Sequence, residues 1–236
     1  MQKIEEIIAR HLIPEENYIY GLADLTGLLD PKFEGFNYGI SIGRKLDYNL
    51  VDPVINGPTK EYYSHYKQIN KDLETLTSNI SNDLNINHIK TINIEPTVTT
   101  NDLDSTYSKT LKTDLSHKMV ATRAGLGWIG KTDLFISKQF GPRLRLVSIL
   151  LSSPVKPKSK PVDKSRCGTC NLCVDICPAK AASGLLWNIN VKREDFFDPW
   201  KCRKQCADFG RLRLGLDARV CGICIAVCPA GRKSSE

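Results

Sequence analysis

Apolar and polar residues alternate along the first half of the chain in segments typical of both strands and helices. From Tyr18 to Gly43 the order YIYGLADL, GLLDPKFEGF and YGISIG predicts a strand, a glycine-bearing loop and a second strand. Between residues 59 and 84 apolar side chains recur every three or four positions, which predicts one long helix with Thr59 as its N-cap. The apolar face of that helix consists of Tyr62, Tyr66, Ile69, Leu73, Leu76 and Ile80.

Three later segments extend this pattern. HIKTINIEP alternates apolar with polar residues up to Pro96 and predicts a strand, whereas SHKMVATRAGLGWIGKTDLFIS predicts a helix, a glycine-rich bend and a strand. FGPRLRLVSILLS predicts a further strand. We therefore expect an α/β domain over residues 1–152. Residues 153–166, with three prolines and four lysines, predict an unpacked linker, and residues 167–236 form a separate cysteine module.

The chain shows neither a membrane span nor a secretory signal. No apolar run approaches the roughly 18 residues that cross a bilayer. The N-terminal MQKIEEIIARHL mixes acids with apolar residues at helical spacing and lacks a basic stretch followed by an apolar one. We expect a cytoplasmic protein.

Charge is distributed unevenly. Residues 1–130 hold 13 Lys and Arg against 17 Asp and Glu, whereas residues 131–236 hold 20 against 9, an excess of +11. This excess has three interpretations: it offsets the negative charge of thiolate-bound metal clusters, it attracts an acidic protein partner, or it attracts RNA. Composition does not choose among them.

All nine cysteines follow residue 166, which is typical of metal binding and not of a secreted disulfide framework. CGTCNLCVDICP contains four of them and CGICIAVCP contains three. In two-cluster ferredoxins three cysteines of a C-x2-C-x2-C-x3-C-P run hold one cubane, and the fourth holds the other. This rule groups Cys167, Cys170, Cys173 and Cys228 around one cluster. It groups Cys177, Cys221 and Cys224 around the second.

The second cluster then needs one more thiolate, and the sequence offers two. Cys202 and Cys206 are the remaining cysteines, so one completes the set, and the other is a free or buried thiol or an exchangeable ligand. Zinc is the rival metal for C-x2-C pairs. No histidine follows His117 and both motifs end in Cys-Pro, so the pattern favours two 4Fe-4S clusters.

A second motif, ATRAGLGWIGK, precedes the cysteines. Its glycines, Gly125, Gly127 and Gly130, permit close approach of backbone or ligand, and Trp128 offers a flat apolar face. The motif matches neither G-x-G-x-x-G in a strand-to-helix setting nor G-x-x-x-x-G-K-[ST]. It is therefore either a ligand-binding turn or a tight turn packed against the cysteine module.

The order of these motifs resembles the epoxyqueuosine reductase family and the related reductive dehalogenases. The resemblance lies mainly in residues 105–230 and rests on five features in this order: AGLGWIGK, FGPRLRLVSILL, the four-cysteine run, a separate cysteine and the three-cysteine run. The resemblance implies an α/β cobalamin-reductase-like domain followed by a two-cluster bacterial-ferredoxin-like domain. In that family the clusters reduce cobalamin, which then attacks the epoxide of a modified tRNA nucleoside.

The resemblance also implies roles for individual residues. The separate cysteine of the family is a cluster ligand, which favours Cys202. The glycine-rich turn lies near the cofactor in the family, which makes Gly125, Gly127, Trp128 and Lys131 candidate cofactor contacts. The acidic proton donor of the family stands in a VDxAP-like segment where this chain has TLKTDLSHK. Asp114, which is out of register, and His117 are the candidates for catalysis.

The printed sequence ends at Glu236, directly after the second cysteine motif. We therefore expect a short form without the C-terminal helical repeats with which the tRNA-acting enzymes hold their substrate, and tRNA is the weaker candidate partner. The predicted function is an iron–sulfur reductase that passes electrons to cobalamin or to a substrate in the N-terminal domain. The alternative is a cofactor-free electron-transfer protein that serves a partner enzyme. Either role predicts an electron donor of the ferredoxin or flavodoxin type.

Overall fold

A computed structural model describes residues 2–97 and 105–232 of the chain. The chain divides into two compact units, each built from separate stretches. The first unit draws on the ranges 1–45, 69–126 and 145–162, and the second on 46–68, 127–144 and 163–236. This grouping differs from the predicted consecutive ranges 1–152, 153–166 and 167–236, because the chain passes repeatedly from one unit to the other.

The first unit contains a four-stranded sheet with the strand order β1-β2-β6-β3. Its elements are α1 (Gln2–His11), β1 (Tyr18–Asp24), β2 (Tyr38–Lys45), most of α3 (Lys60–Ile86), β3 (Thr91–Ile94), α4 (Ser105–Thr110), α5 (His117–Arg123) and β6 (Leu144–Leu151). Strands β1 and β2 pair antiparallel with Gly21 opposite Ser41, and β3 and β6 pair antiparallel with Ile92 opposite Leu150. The strands predicted from alternation are confirmed.

Helix α5 packs against β1 and β2, and its apolar residues fill the core there. Leu25, Val120 and Leu150 are completely buried in one cluster, which Phe33 and Ala124 extend. Apolar burial of this kind contributes about 25 cal/mol per Å² of surface removed from water, so this cluster is a main source of stability for the unit.

The long helix α3 begins where the sequence predicts. The Thr59 hydroxyl accepts a hydrogen bond from the Tyr62 backbone N–H at 3.1 Å, as an N-cap does. Of its predicted apolar face, Tyr66 is partly exposed and the other members are buried. The spacing of three and four residues therefore predicted the buried face correctly.

The stretch predicted as an unpacked linker packs on the first unit over residues 153–162. Val155 and Val162 are buried, and the Val162 N–H donates to the Thr122 carbonyl at 2.9 Å. The Arg123 guanidinium donates back to the Val162 carbonyl at 2.9 Å. The prediction that this stretch does not pack is wrong, because the valines between its prolines supply apolar contacts that composition alone conceals.

The second unit consists of short elements. They are α2 (Tyr48–Val51), the hairpin of β4 (Gly127–Ile129) and β5 (Phe135–Ser137), α6 (Leu172–Asp175), α7 (Arg193–Phe196), α8 (Pro199–Phe209) and α9 (Ile223–Ala226). A π-helical turn, Gly210–Leu214, continues α8, and α6 lies against α9. No helix in the described part of the chain combines the length and hydropathy needed to cross a membrane.

Candidate metal centre

Four cysteine thiols form a first group in the second unit. Cys167, Cys170 and Cys173 surround the start of α6, and Cys228 follows α9. Burial, followed by the nearby Cys228, Cys167 and Cys170 thiols, raises the pKa of Cys173 to about 11. Cys173 therefore lies near the other three cysteines that the sequence assigns to one cluster, and that assignment stays a prediction.

A second group of thiols lies between α8 and α9. Cys202 and Cys206 are four residues apart on one face of α8, with their Sγ atoms 4.0 Å from each other. A hydrogen bond with Cys206 lowers the pKa of Cys202, and another lowers the pKa of Cys221 to about 7. The same two bonds raise the pKa of Cys206. The Cys206 thiol has one hydrogen, so it can donate to Cys202 or to Cys221 but not to both at once, and either sulfur of the Cys202–Cys206 pair can be the donor.

The two groups border each other. Burial raises the pKa of Cys224, and the Cys221, Cys202 and Cys173 thiols raise it further. Cys173 belongs to the first group, so at least one thiol of each group lies near the other. The assignment of Cys177 to the second cluster stays a prediction.

Helix α8 starts at a well-defined cap. The Asp198 carboxylate accepts hydrogen bonds from the backbone N–H groups of Trp200 and Lys201 at 3.0 Å, and Pro199 occupies the first helical position. The cap fixes where the helix begins and therefore which face carries Cys202 and Cys206.

The second half of the AGLGWIGK motif contacts the thiol groups. The Trp128 indole N–H donates to Cys167 Sγ at 3.4 Å, and a Cβ on Gly130 would lie 3.6 Å from the same sulfur. The Lys131 side chain is buried, and its Nζ donates to the Asn171 side-chain oxygen at 2.7 Å. Of the two interpretations of this motif, these contacts favour the tight turn packed against the cysteine module.

The glycines of the motif are explained by backbone approach. Gly125 has a φ of +72°, and a Cβ there would lie 2.5 Å from the Ser159 Cβ. A Cβ on Gly127 would lie 2.0 Å from the Ile136 carbonyl oxygen of the facing strand. Gly125 and Gly127 thus lie against neighbouring atoms of the protein, and Trp128 and Lys131 form hydrogen bonds within it. Their role as cofactor contacts stays a prediction.

Arg143 is a site residue that the sequence analysis did not single out. Its side chain is completely buried, and its guanidinium donates to the backbone carbonyls of Ala226, Cys228 and Ala230 at 2.8, 2.9 and 3.3 Å. The Arg143 Nε makes no hydrogen bond in the structure and lies 3.7 Å from the Asp52 carboxylate. The arginine therefore fixes the backbone that carries the last ligand of the first group. Its only signal in the sequence is a charge directly before an apolar strand.

The two candidate catalytic residues lie in the first unit. Asp114 lies in the bend before α5, its side chain is about half exposed, and it forms an ion pair with Lys32. The His117 Nε2 lies 2.9 Å from the Glu95 carbonyl, which can only accept, so this nitrogen carries the proton. The other nitrogen, Nδ1, lies 2.9 Å from the Ser148 hydroxyl and accepts from it. Both ring nitrogens are therefore occupied by structural bonds, and the catalytic role of either residue stays a prediction.

Burial lowers the pKa of His117 from 6.5 to about 4, so the folded protein should lose stability as the pH falls through this window. Between the two values the unfolded chain binds a proton that the folded chain does not, which costs about 1–2 kcal/mol between pH 7 and pH 5. Urea unfolding followed by far-ultraviolet circular dichroism at both pH values measures this loss. His117→Gln removes this titration, so the variant should lose less free energy of unfolding between pH 7 and pH 5 than the wild type. An equal loss in both proteins would show that His117 is not the titrating group.

The cysteine groups and the contacts around them define an iron–sulfur protein with two clusters. Residues 166–231 match the family described as the 4Fe-4S double cluster binding domain. The predicted cofactor, two 4Fe-4S clusters, is confirmed. The all-sulfur donor sets fit cubane clusters, which cysteine thiolates hold.

The resemblance to epoxyqueuosine reductases is also confirmed. The chain is 34% identical over 118 residues to the epoxyqueuosine reductase of Staphylococcus aureus, a match that covers 50% of this chain and 30% of that protein. It is 39% identical over 67 residues to the epoxyqueuosine reductase of Pseudomonas aeruginosa, covering 28% of this chain and 18% of the relative. The chain thus spans about a third or less of the curated relatives that it matches.

Solved structures show the same fold. The catabolic reductive dehalogenase NpRdhA superposes with a TM-score of 0.64 at 15% identity, over 91% of this chain and 30% of the dehalogenase. An epoxyqueuosine reductase with a tRNA-Tyr epoxyqueuosine-modified stem loop superposes with a TM-score of 0.62 at 17% identity, over 98% of this chain and 65% of that one. The predicted fold class is confirmed by these matches.

Proposed function

We propose that the protein is an iron–sulfur reductase that passes single electrons through its two clusters to an acceptor in the first unit. The observation that carries this proposal is the double cluster domain on a fold shared with a reductive dehalogenase over 91% of the chain. The curated relatives are named as reductases, which favours this function over the cofactor-free electron-transfer protein.

Each part of the second unit has a definite task in this function. Eight cysteines supply the thiolate ligands, with Cys202 as the one contributed by α8. The clusters, when bound, supply one-electron transfer at low potential. Cys206 forms a hydrogen bond with Cys202 at an Sγ–Sγ distance of 4.0 Å, and Arg143 holds the backbone around Cys228. Their common effect is a ligand shell that moves little when the charge of a cluster changes.

The proposed acceptor is a corrinoid. The support is the shared fold, because one of the matched structures is described as suggesting a mechanism for B12-dependent dehalogenation. Gly125, Gly127, Trp128 and Lys131 remain the predicted cofactor contacts, although Trp128 and Lys131 also form hydrogen bonds within the protein.

Cobalamin binding is tested directly with the cluster-loaded protein. After anaerobic incubation with hydroxocobalamin and gel filtration, we expect about one corrinoid per chain in the visible spectrum. A two-cluster ferredoxin, which lacks the first unit, is the control and should retain none. If the protein holds its full iron content but retains no corrinoid, the proposal of a corrinoid acceptor is wrong. The alternative, a cofactor-free electron-transfer protein, would then be favoured.

We infer that the electron donor is an acidic protein of the ferredoxin or flavodoxin type. Exposed basic residues cluster on α8 and the following turn, where Lys201, Lys204 and Arg211 accompany the exposed Trp200 and the 84% exposed Leu212. This helix carries Cys202, so a donor bound there would lie close to the second cluster. In the same anaerobic preparation, the rate of cluster reduction by a reduced flavodoxin should fall as salt rises. A rate independent of salt would contradict the inference.

A modified RNA nucleoside is a further candidate substrate. The support is the epoxyqueuosine reductase neighbour, whose structure contains a tRNA stem loop, together with the basic second half of this chain. The exposed Asp114, paired with Lys32, is a weak counterpart for the acidic proton donor of that family. Contacts with phosphate are strongest at low salt, so a protein that does not bind tRNA at low salt would exclude this substrate.

A further inference from the structure

The segment from Trp128 to Gly130 lies beside the first thiol group, although it holds no cysteine. Trp128 donates its indole N–H to Cys167 at 3.4 Å. A Cβ on Gly130 would lie 3.6 Å from the same sulfur, so the glycine leaves no side chain in the way of this bond.

We propose that Trp128 is a positioning residue that raises the reduction potential of the first cluster. Each cluster accepts one electron, no bond forms or breaks, and the added negative charge spreads onto the ligand sulfurs. A donor aimed at such a sulfur stabilises the reduced form more than the oxidised form, and hydrogen bonds to sulfur are among the factors that set these potentials.

The indole of Trp128 acts on the first cluster alone. Its donor is fixed, because the rigid ring belongs to strand β4 of the hairpin, and Trp128 is only partly exposed. A hydrogen bond sheltered from water is electrostatically stronger than one in solvent, so a single N–H can shift the redox equilibrium measurably. Removal of this donor should make the potential of the first cluster more negative.

The test is an anaerobic potentiometric titration with dithionite, followed by electron paramagnetic resonance of each reduced cluster. Trp128→Phe keeps the aromatic ring and removes the N–H, so we expect one midpoint potential to become more negative at unchanged iron content. Trp200→Phe, at an exposed indole, is the matched control and should leave the potential that responds to Trp128 unchanged.

A purely structural role makes a different prediction. If Trp128→Phe binds full iron and both potentials stay at their wild-type values, the proposal for Trp128 is overturned. If the variant loses iron, the hydrogen bond is tested in the wild-type protein instead. Its reduced first cluster should show a hyperfine coupling to one nitrogen when tryptophan is labelled with ¹⁵N, and the absence of that coupling overturns the proposal. These measurements do not involve a corrinoid, so their outcome is independent of whether the proposed acceptor is correct.

Discussion

Replacement of Cys202 by serine should remove one cluster and lower the iron content from about eight to about four atoms per chain. The reason is that Cys177, Cys221 and Cys224 offer three thiolates to the second cluster and need a fourth from α8. Iron and sulfide analysis of anaerobically purified protein measures the loss, and resonance spectra identify the cluster that remains.

Cys206→Ser is the matched control on the same helix face. The Cys206 Sγ lies 4.0 Å from the Cys202 Sγ, and its thiol acts as a hydrogen-bond donor, a task that a serine hydroxyl also performs. We therefore expect this variant to keep about eight irons. If Cys206→Ser alone loses a cluster, the ligand on α8 is Cys206 and the assignment of Cys202 is wrong.

Replacement of Arg143 by methionine should destabilise the second unit by about 3–5 kcal/mol, because it leaves buried polar partners unpaired. Three backbone carbonyls, those of Ala226, Cys228 and Ala230, would lose their donor. The first cluster depends on Cys228, so the variant should also incorporate less iron. Urea unfolding of the cluster-loaded protein and iron analysis measure the two effects.

Two further variants locate the origin of this effect. Arg143→Lys keeps the charge but has no planar fork that could reach several carbonyls, so its stability should fall between wild type and Arg143→Met. Arg211→Met removes an exposed arginine and should change the free energy of unfolding by no more than about 0.5 kcal/mol. Equal stability of Arg143→Met and Arg211→Met would show that the buried bonds contribute nothing.

The regular elements of the first unit could be predicted because burial acts on them locally. Apolar segments bounded by glycine-bearing turns located β1 and β2, and a period of three to four located α3. The short helices α2 and α7, of four residues each, were not predicted. Four residues are too few for a hydrophobic period to emerge.

The two clusters could be predicted because iron–sulfur geometry imposes a spacing on the cysteines, whereas the assignment of each cysteine to a cluster stays a prediction. The contacts of Trp128 and Arg143 could not be predicted, because their partners lie 39 or more residues away in the sequence and no local pattern marks them. A glycine-rich motif predicts close approach, but only the fold determines whether a ligand or another strand approaches. At Gly127 it is the carbonyl of Ile136.

The interleaving of the two units has a consequence for how such a protein can change in evolution. A conventional ferredoxin is a cassette that can be moved as one continuous piece of gene. Here a piece that begins at residue 163 would contain every cysteine, yet it would leave Trp128 and Arg143 behind. Recombination at that point would separate the cysteines from the indole that donates to Cys167 and from the guanidinium that holds the backbone around Cys228.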